Sequence, residues 1–257
     1  MYITSRLVYL IGCFNISMTD FSIKKALLES INTDGILSGK ILVGANLTLV
    51  QGRHFGLSST LTQPSVHANY IDQPGDLEAK PVREMIRKIN SERLLEASLG
   101  MAALNSVIDL PAEFEVADAY KEIEKHAHNK NVAVVGHFPF VDRLGKIAKN
   151  CWVFERKLRD GDIPSDKMPE FVPQADVLVL TAQVIANNCF HDIMELSPNS
   201  FKIMLGPSTP LSPVLFDFGI HVLGGVRVLD PELVYKLIAQ GAHFKQLTGI
   251  EKITIKR

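Results

Sequence analysis

The sequence predicts an α/β protein, with a parallel, doubly wound sheet in its C-terminal half and a smaller α+β region before it. Three observations predict this. From Asn131 onward short apolar runs recur: VAVVG (132–136), CWVFE (151–155), DVLVL (176–180), FKIMLG (201–206) and IHVLGG (220–225). Most of them are continuous rather than alternating, as strands buried on both faces are. Helical or loop segments such as residues 231–240 separate them, which is the order of βα units.

The elements follow along the chain. Residues 1–19 are an extension of open status. Arg6 followed by LVYLIGC (7–13) looks like a short lipoprotein signal with Cys13 as the lipidated residue, yet its apolar core is short. An edge strand or an upstream start codon accounts for it as well, and a cytoplasmic location is the expectation. Asp20 or Ser22 can cap a helix through Ile31, with Ile23, Leu27, Leu28 and Ile31 on one face. KILVGANLTLVQ (40–51) and RHFGLSSTL (53–61) read as strands, joined by a hairpin turn at Gln51-Gly52 where Gly52 can take positive φ. Residues 62–80 form a long polar loop, of the kind that is functional or mobile.

Pro81 suits the first turn of a helix carrying Val82, Met85, Ile86 and Ile89, and Ser91 caps another with Leu94, Leu95, Leu99 and Ala102 inward. Within the latter, SLGMAALNSV (98–107) is rich in small residues, so it packs tightly or lines a cleft. The helix VADAYKEIEKHAH (116–128) ends this part, which divides the chain into domains of residues 1–129 and 130–257. A strand KITIK (252–256) closes the chain.

Composition excludes several function classes. With 46% hydrophobic and 21% charged residues in a chain of 257, a sizeable core is affordable. Lys plus Arg (27) nearly balance Asp plus Glu (28), which speaks against a nucleic-acid partner or an acidic membrane surface. No apolar run approaches the roughly 18–20 residues of a membrane span. Cys13, Cys151 and Cys189 are widely spaced without a CxxC, which points to a reducing compartment and away from a disulfide framework or structural zinc. His126 and His128 lie two apart on a helix and make a poor chelating pair. There is no GxGxxG after the first strand, no GxxxxGK[ST], no GxSxG and no HExxH, hence no NAD or P-loop nucleotide signature.

In an open parallel sheet, ligands bind beyond the carboxyl ends of the strands. Polar and conformationally special residues gather there: Gly136-His137-Phe138-Pro139, then Glu155-Arg156 and DGDIP (160–164), then Thr181 with Gln183, Asn187 and Asn188, then GPSTPLSP (206–213). His137 is a general acid/base or a metal ligand, or else it caps the next helix. Glu155 with Arg156 binds a polar ligand or pairs with other charges. Asp162 suits a turn before Pro164, and Asn187 a helix cap. In GPSTPL, prolines can hold Ser208 and Thr209 so that hydroxyls and backbone N–H groups meet an anion or carboxylate near His137. The hydroxyls would face solvent in the free protein; a plain structural turn is the alternative.

These motifs, in the order VAVVGHFPFVDRL, VFER (153–156), DGDIP, ADVLVLTA (175–182), GPSTPLSP and LGGVRVLDP (223–231), resemble the putative heavy-metal chelation family, a domain of unknown function. VGANLTLV (43–50) and LGMAALNSV (99–107) resemble, more weakly, the small domain that precedes it there. The resemblance implies an enolase N-terminal-like α+β domain joined to a Rossmann-like domain, with a cleft between them. Carried over by position, it implies a site of His137, Glu155, Arg156, Asp162, Thr181, Asn187, Ser208 and Thr209, with Asn105 facing from the first domain. Phe138 and Gly206 are read as ligand-binding beside them, and His137 or Glu155 is the group that would move a proton in an enzyme. The ligand would be a small polar molecule or a metal complex, a heavy-metal ion the candidate cofactor, and a homo-oligomer is compatible. Ala182 and Cys189 depart from the family's glycine and threonine. Two functions stay open: an enzyme or chelatase-like protein, and a non-catalytic carrier of an anion or metal chelate.

Overall fold

The computed structural model describes residues 20–155 and 158–257, so the readings placed on residues 1–19 and on Arg156 lie outside the described residues. Helix α1 (Asp20–Glu29) leads into an antiparallel meander of β1 (Ile41–Val43), β2 (Leu47–Gln51) and β3 (Phe55–Ser59), then α2 (Val82–Arg87) and α3 (Leu94–Asn105). Residues 40–51 are thus two strands rather than one. Gly44-Ala45-Asn46 turn the chain: Gly44 N donates to Leu47 O at 2.9 Å and Asn46 Nδ2 to Gly241 O at 3.0 Å. The hairpin at Gln51-Gly52 forms, but Gly52 does not take positive φ. Glycine is needed there for close approach, because a Cβ would lie 2.3 Å from Ser106 Oγ at the end of α3.

The second sheet is built from β4 (Glu115–Val116), β5 (Asn131–Val135), β6 (Asn150–Glu155), β7 (Ile163–Pro164), β8 (Val177–Thr181), β9 (Phe201–Leu205), β10 (Val222–Val228) and β11 (Ile250–Lys256). Between them run α4 (Tyr120–Ala127), α5 (Val141–Gly145), α6 (Met168–Phe171), α7 (Gln183–Ala186), α8 (Phe190–Leu196), α9 (Val214–Asp217) and α10 (Pro231–Ala239). The strand order is β4-β11-β10-β9-β8-β5-β6-β7. Every pair from β10 to β7 is parallel, while β11 is antiparallel to both β10 and β4. The closing strand is therefore an antiparallel extension of a parallel sheet. Helix α4 begins at Tyr120 rather than Val116, since Glu115 and Val116 pair with β11 and Asp118 Oδ1 accepts from Tyr120 N at 3.0 Å.

Successive residues of a strand point to opposite faces. Accordingly Val132, Val134, Val177 and Val179 pack with Ile123 of α4 and Leu144 of α5. Ala133, Val135, Leu178 and Leu180 join the opposite cluster, which includes α8 and, from the N-terminal region, Ile23 of α1 and Leu99 of α3. Both faces are covered, as the continuous apolar runs require. Helix α10 returns to the outer side of the meander, where Val234 and Ile238 meet Leu47, Leu49 and Leu57.

The loop over residues 62–80 is tethered through the buried Glu96, which accepts from Lys88 Nζ, Ser91 Oγ and Arg93 Nη2 at 2.7 Å each and from Asp72 N at 3.1 Å. Burial alone would raise this carboxyl; the donors win and hold it down to about 2. Cys151 is a free thiol. Among the described residues no helix is long and apolar enough to cross a membrane.

Candidate functional site at the strand ends

The strand order reverses at β5, which has β6 on one side and β8 on the other, so the ligand crevice of an open α/β sheet falls between the carboxyl ends of β5 and β8. Gly136, at φ +100°, turns the chain out of β5, and a Cβ there would stand 3.2 Å from Thr181 Cγ2 across the switch point. His137 is then carried toward β6 and β7. Its backbone N–H donates to Glu155 Oε2 at 2.9 Å, and its Nδ1 lies 3.1 Å from Asp162 Oδ1. The other oxygen of Asp162 accepts from Arg159 N at 2.9 Å. An ionised carboxylate only accepts, so the pair places the ring proton on Nδ1 and leaves Nε2 as the basic nitrogen. The Asp162 side chain is 2% exposed and that of His137 19%, so the carboxylate is sealed while the imidazole keeps access to a ligand.

His137, Glu155 and Asp162 thus form one contact set, with Thr181 beside Gly136. Asn187 does not open a helix: it ends α7, and its Oδ1 accepts from Cys189 N at 3.3 Å. Asn188, the next residue, receives the ammonium of the buried Lys24, a connection to α1 that no motif announced.

The remaining predicted residues form a second, different group. Asn105 Nδ2 donates to Leu57 O at 2.8 Å and to Ser208 O at 3.1 Å, and Ser59 N donates to Ser208 Oγ at 2.8 Å. Ser208 and Thr209 are each 3% exposed. Their hydroxyls therefore do not face solvent, because β3 and α3 cover the loop. Among the described residues Asn105 Oδ1 and Thr209 Oγ1, both buried, have no hydrogen-bond partner. Gly206 and Pro207, on the other side of the same loop, line a cavity of about 560 Å³ together with Phe138. Sequence reasoning missed the charged members of that cavity. Its one signal was the DRL inside GHFPFVDRL, which holds Arg143.

Residues 118–257 match the profile of a family described as putative heavy-metal chelation, DUF364, and residues 25–108 match another with the same description, DUF4213. An uncharacterized protein of Methanocaldococcus jannaschii is 29% identical over 160 residues, which are 59% of this chain and 62% of that protein. The match thus spans less than two thirds of that relative. Two solved structures share the fold, both of proteins of unknown function from the DUF364 family. That from Desulfitobacterium hafniense has a TM-score of 0.79 at 24% identity, covering 94% of this chain and 100% of the other. That from Pyrococcus horikoshii has a TM-score of 0.74 at 23% identity, covering 93% and 100%.

The family description raises a heavy-metal ion, and soft ions take clustered thiolates and imidazoles. Among the described residues no group of three or more His, Cys, Asp and Glu side chains is placed to hold one. Cys151 lies near the start of β6, away from Glu155 at its end, and burial pushes its thiol up to about 11, so it stays protonated near neutral pH. The described side chains do not fit a protein-built heavy-metal centre.

Proposed function

We propose that this chain, which belongs to the putative heavy-metal chelation family DUF364, binds a small polar molecule, free or already complexed with a metal, at the carboxyl ends of β5 to β8 and moves a proton on it through His137. The observation that carries this reading is the His137–Asp162 contact of 3.1 Å against a carboxylate 2% exposed. A sealed carboxylate behind an imidazole sets the ring's tautomer and direction, which a general base or acid requires. Glu155 holds the His137 backbone, and Thr181 sets its methyl against Gly136 across the switch point. A metal, in this reading, arrives as part of the ligand.

The test begins with native mass spectrometry and elemental analysis of the purified protein, to identify what accompanies it. Turnover of that compound by the native chain, abolished in a folded His137→Ala variant, supports proton transfer. Tight binding with no turnover would instead assign a carrier.

A further inference from the structure

We propose that the cavity of about 560 Å³ beside α4 is a separate binding site for a planar organic anion, an aromatic ring system bearing a carboxylate, sulfonate or phosphate. Its walls come from the start of α4, the loops after β5 and β9, and strands β10 and β11; His137 is not among its lining residues, although Phe138 is. The volume falls within the roughly 300–1,000 Å³ of small-molecule sites.

Two features name the ligand class. The first is flat aromatic surface. Phe138 and Phe140 stack at 5.1 Å between centroids and 8° between planes, and Phe140 meets Tyr120 at 4.8 Å. A further ring can extend such a stack at little ordering cost, because these side chains already hold one another. The second is charge. The lining carries Arg143, Lys245 and Lys252 against Asp118. Lys252 Nζ sits 2.7 Å from Asp118 Oδ2, and that pair is neutral as a unit. Arg143 and Lys245 are left over at exposed positions, with no ion pair among the described residues. Arg143 is not loose, since its guanidinium rides 4.2 Å over the Tyr120 ring. Nothing stands within 4 Å of where a Gly206 Cβ would project, which leaves that wall of the cavity open. A dinucleotide fits poorly, for its pyrophosphate seeks the glycine-rich turn that this sequence lacks.

Fluorescence titration of the whole chain with 8-anilinonaphthalene-1-sulfonate, beside the uncharged N-phenyl-1-naphthylamine, tests the proposal. Saturable one-to-one binding of the sulfonate is expected. The double variant Arg143→Gln/Lys245→Gln should weaken it roughly tenfold while leaving the neutral probe within about twofold, since only the charge attraction is removed. Absence of saturable binding by the native chain overturns the proposal. So does an unchanged sulfonate affinity in the double variant, or equal loss of both probes. His137→Ala should bind the sulfonate as the native chain does, so this site and the His137 site can fail independently.

Discussion

The loop after β5 and the loop after β9 look alike as text: each leaves a parallel strand through a glycine of positive φ and continues with polar residues and proline. Their polar groups meet opposite fates. In the first, His137 stays 19% exposed on its side chain and is backed by a sealed carboxylate. In the second, Ser208 and Thr209 are buried at 3% each, and Ser208 is bonded to Ser59 and Asn105 of the N-terminal region. What separates an open loop from a sealed one here is which distant element covers it, not its own composition.

The comparison can be broken most severely at Asn105. Asn105→Ala removes the donor to Leu57 O and Ser208 O, and buried groups left unpaired cost on the order of 1–3 kcal/mol. We expect the upper part of that range from urea unfolding, with an unchanged m-value. No loss would mean that the β9 loop is not a structural seam. Ser208→Ala should come next, at about 1–2 kcal/mol, because Ser59 N then lacks its acceptor.

Besides His54, which burial also lowers, acid sensitivity should arise far from both loops, at the amino ends of β9 and β10. There His126 stacks on Phe201 at 3.8 Å, and Phe201 on His221 at 4.6 Å. Burial lowers both imidazoles, helped by Lys125 for His126 and by Lys202 and Arg257 for His221, with Glu122 opposing. Folding thus favours their neutral forms, and the unfolded chain binds more protons. The stability they contribute is full above the ordinary value of 6.5 and is lost as pH falls through the lowered values. Replacing both by Gln should flatten the decline of melting temperature between about pH 7 and pH 5; an unchanged decline assigns it elsewhere. Smallest of all is Thr209→Val, expected within about 0.5 kcal/mol of the native chain because its hydroxyl has no partner among the described residues to lose. A large loss would show that Thr209 Oγ1 is bonded in solution.

Much of the fold was legible because burial on both faces writes itself as an unbroken apolar run, as in β5 and β8. Residues 40–51 misread as one strand for a related reason: Gly44-Ala45-Asn46 keeps the apolar pattern almost continuous, while the turn rests on Asn46 reaching Gly241, far along the chain. In the site, the His137, Glu155 and Asp162 set was legible because adjacent parallel strands bring successive carboxyl ends together. The direction of the Ser208 hydroxyl was not, since it depends on Ser59, 149 residues away. The charges of the cavity were hidden likewise: Asp118, Arg143, Lys245 and Lys252 lie on separate segments with no shared spacing.

The central claim is that Asp162 orients His137 for proton transfer, and long-range ¹H–¹⁵N correlation NMR of the imidazole tests it most directly. The native chain at a pH where His137 is neutral should show a protonated Nδ1 and a bare Nε2, and Asp162→Asn, whose amide oxygen stays on Arg159 N and so turns its NH2 toward Nδ1, should move the ring proton to Nε2. A native ring protonated on Nε2, or a tautomer indifferent to Asp162→Asn, would contradict the account.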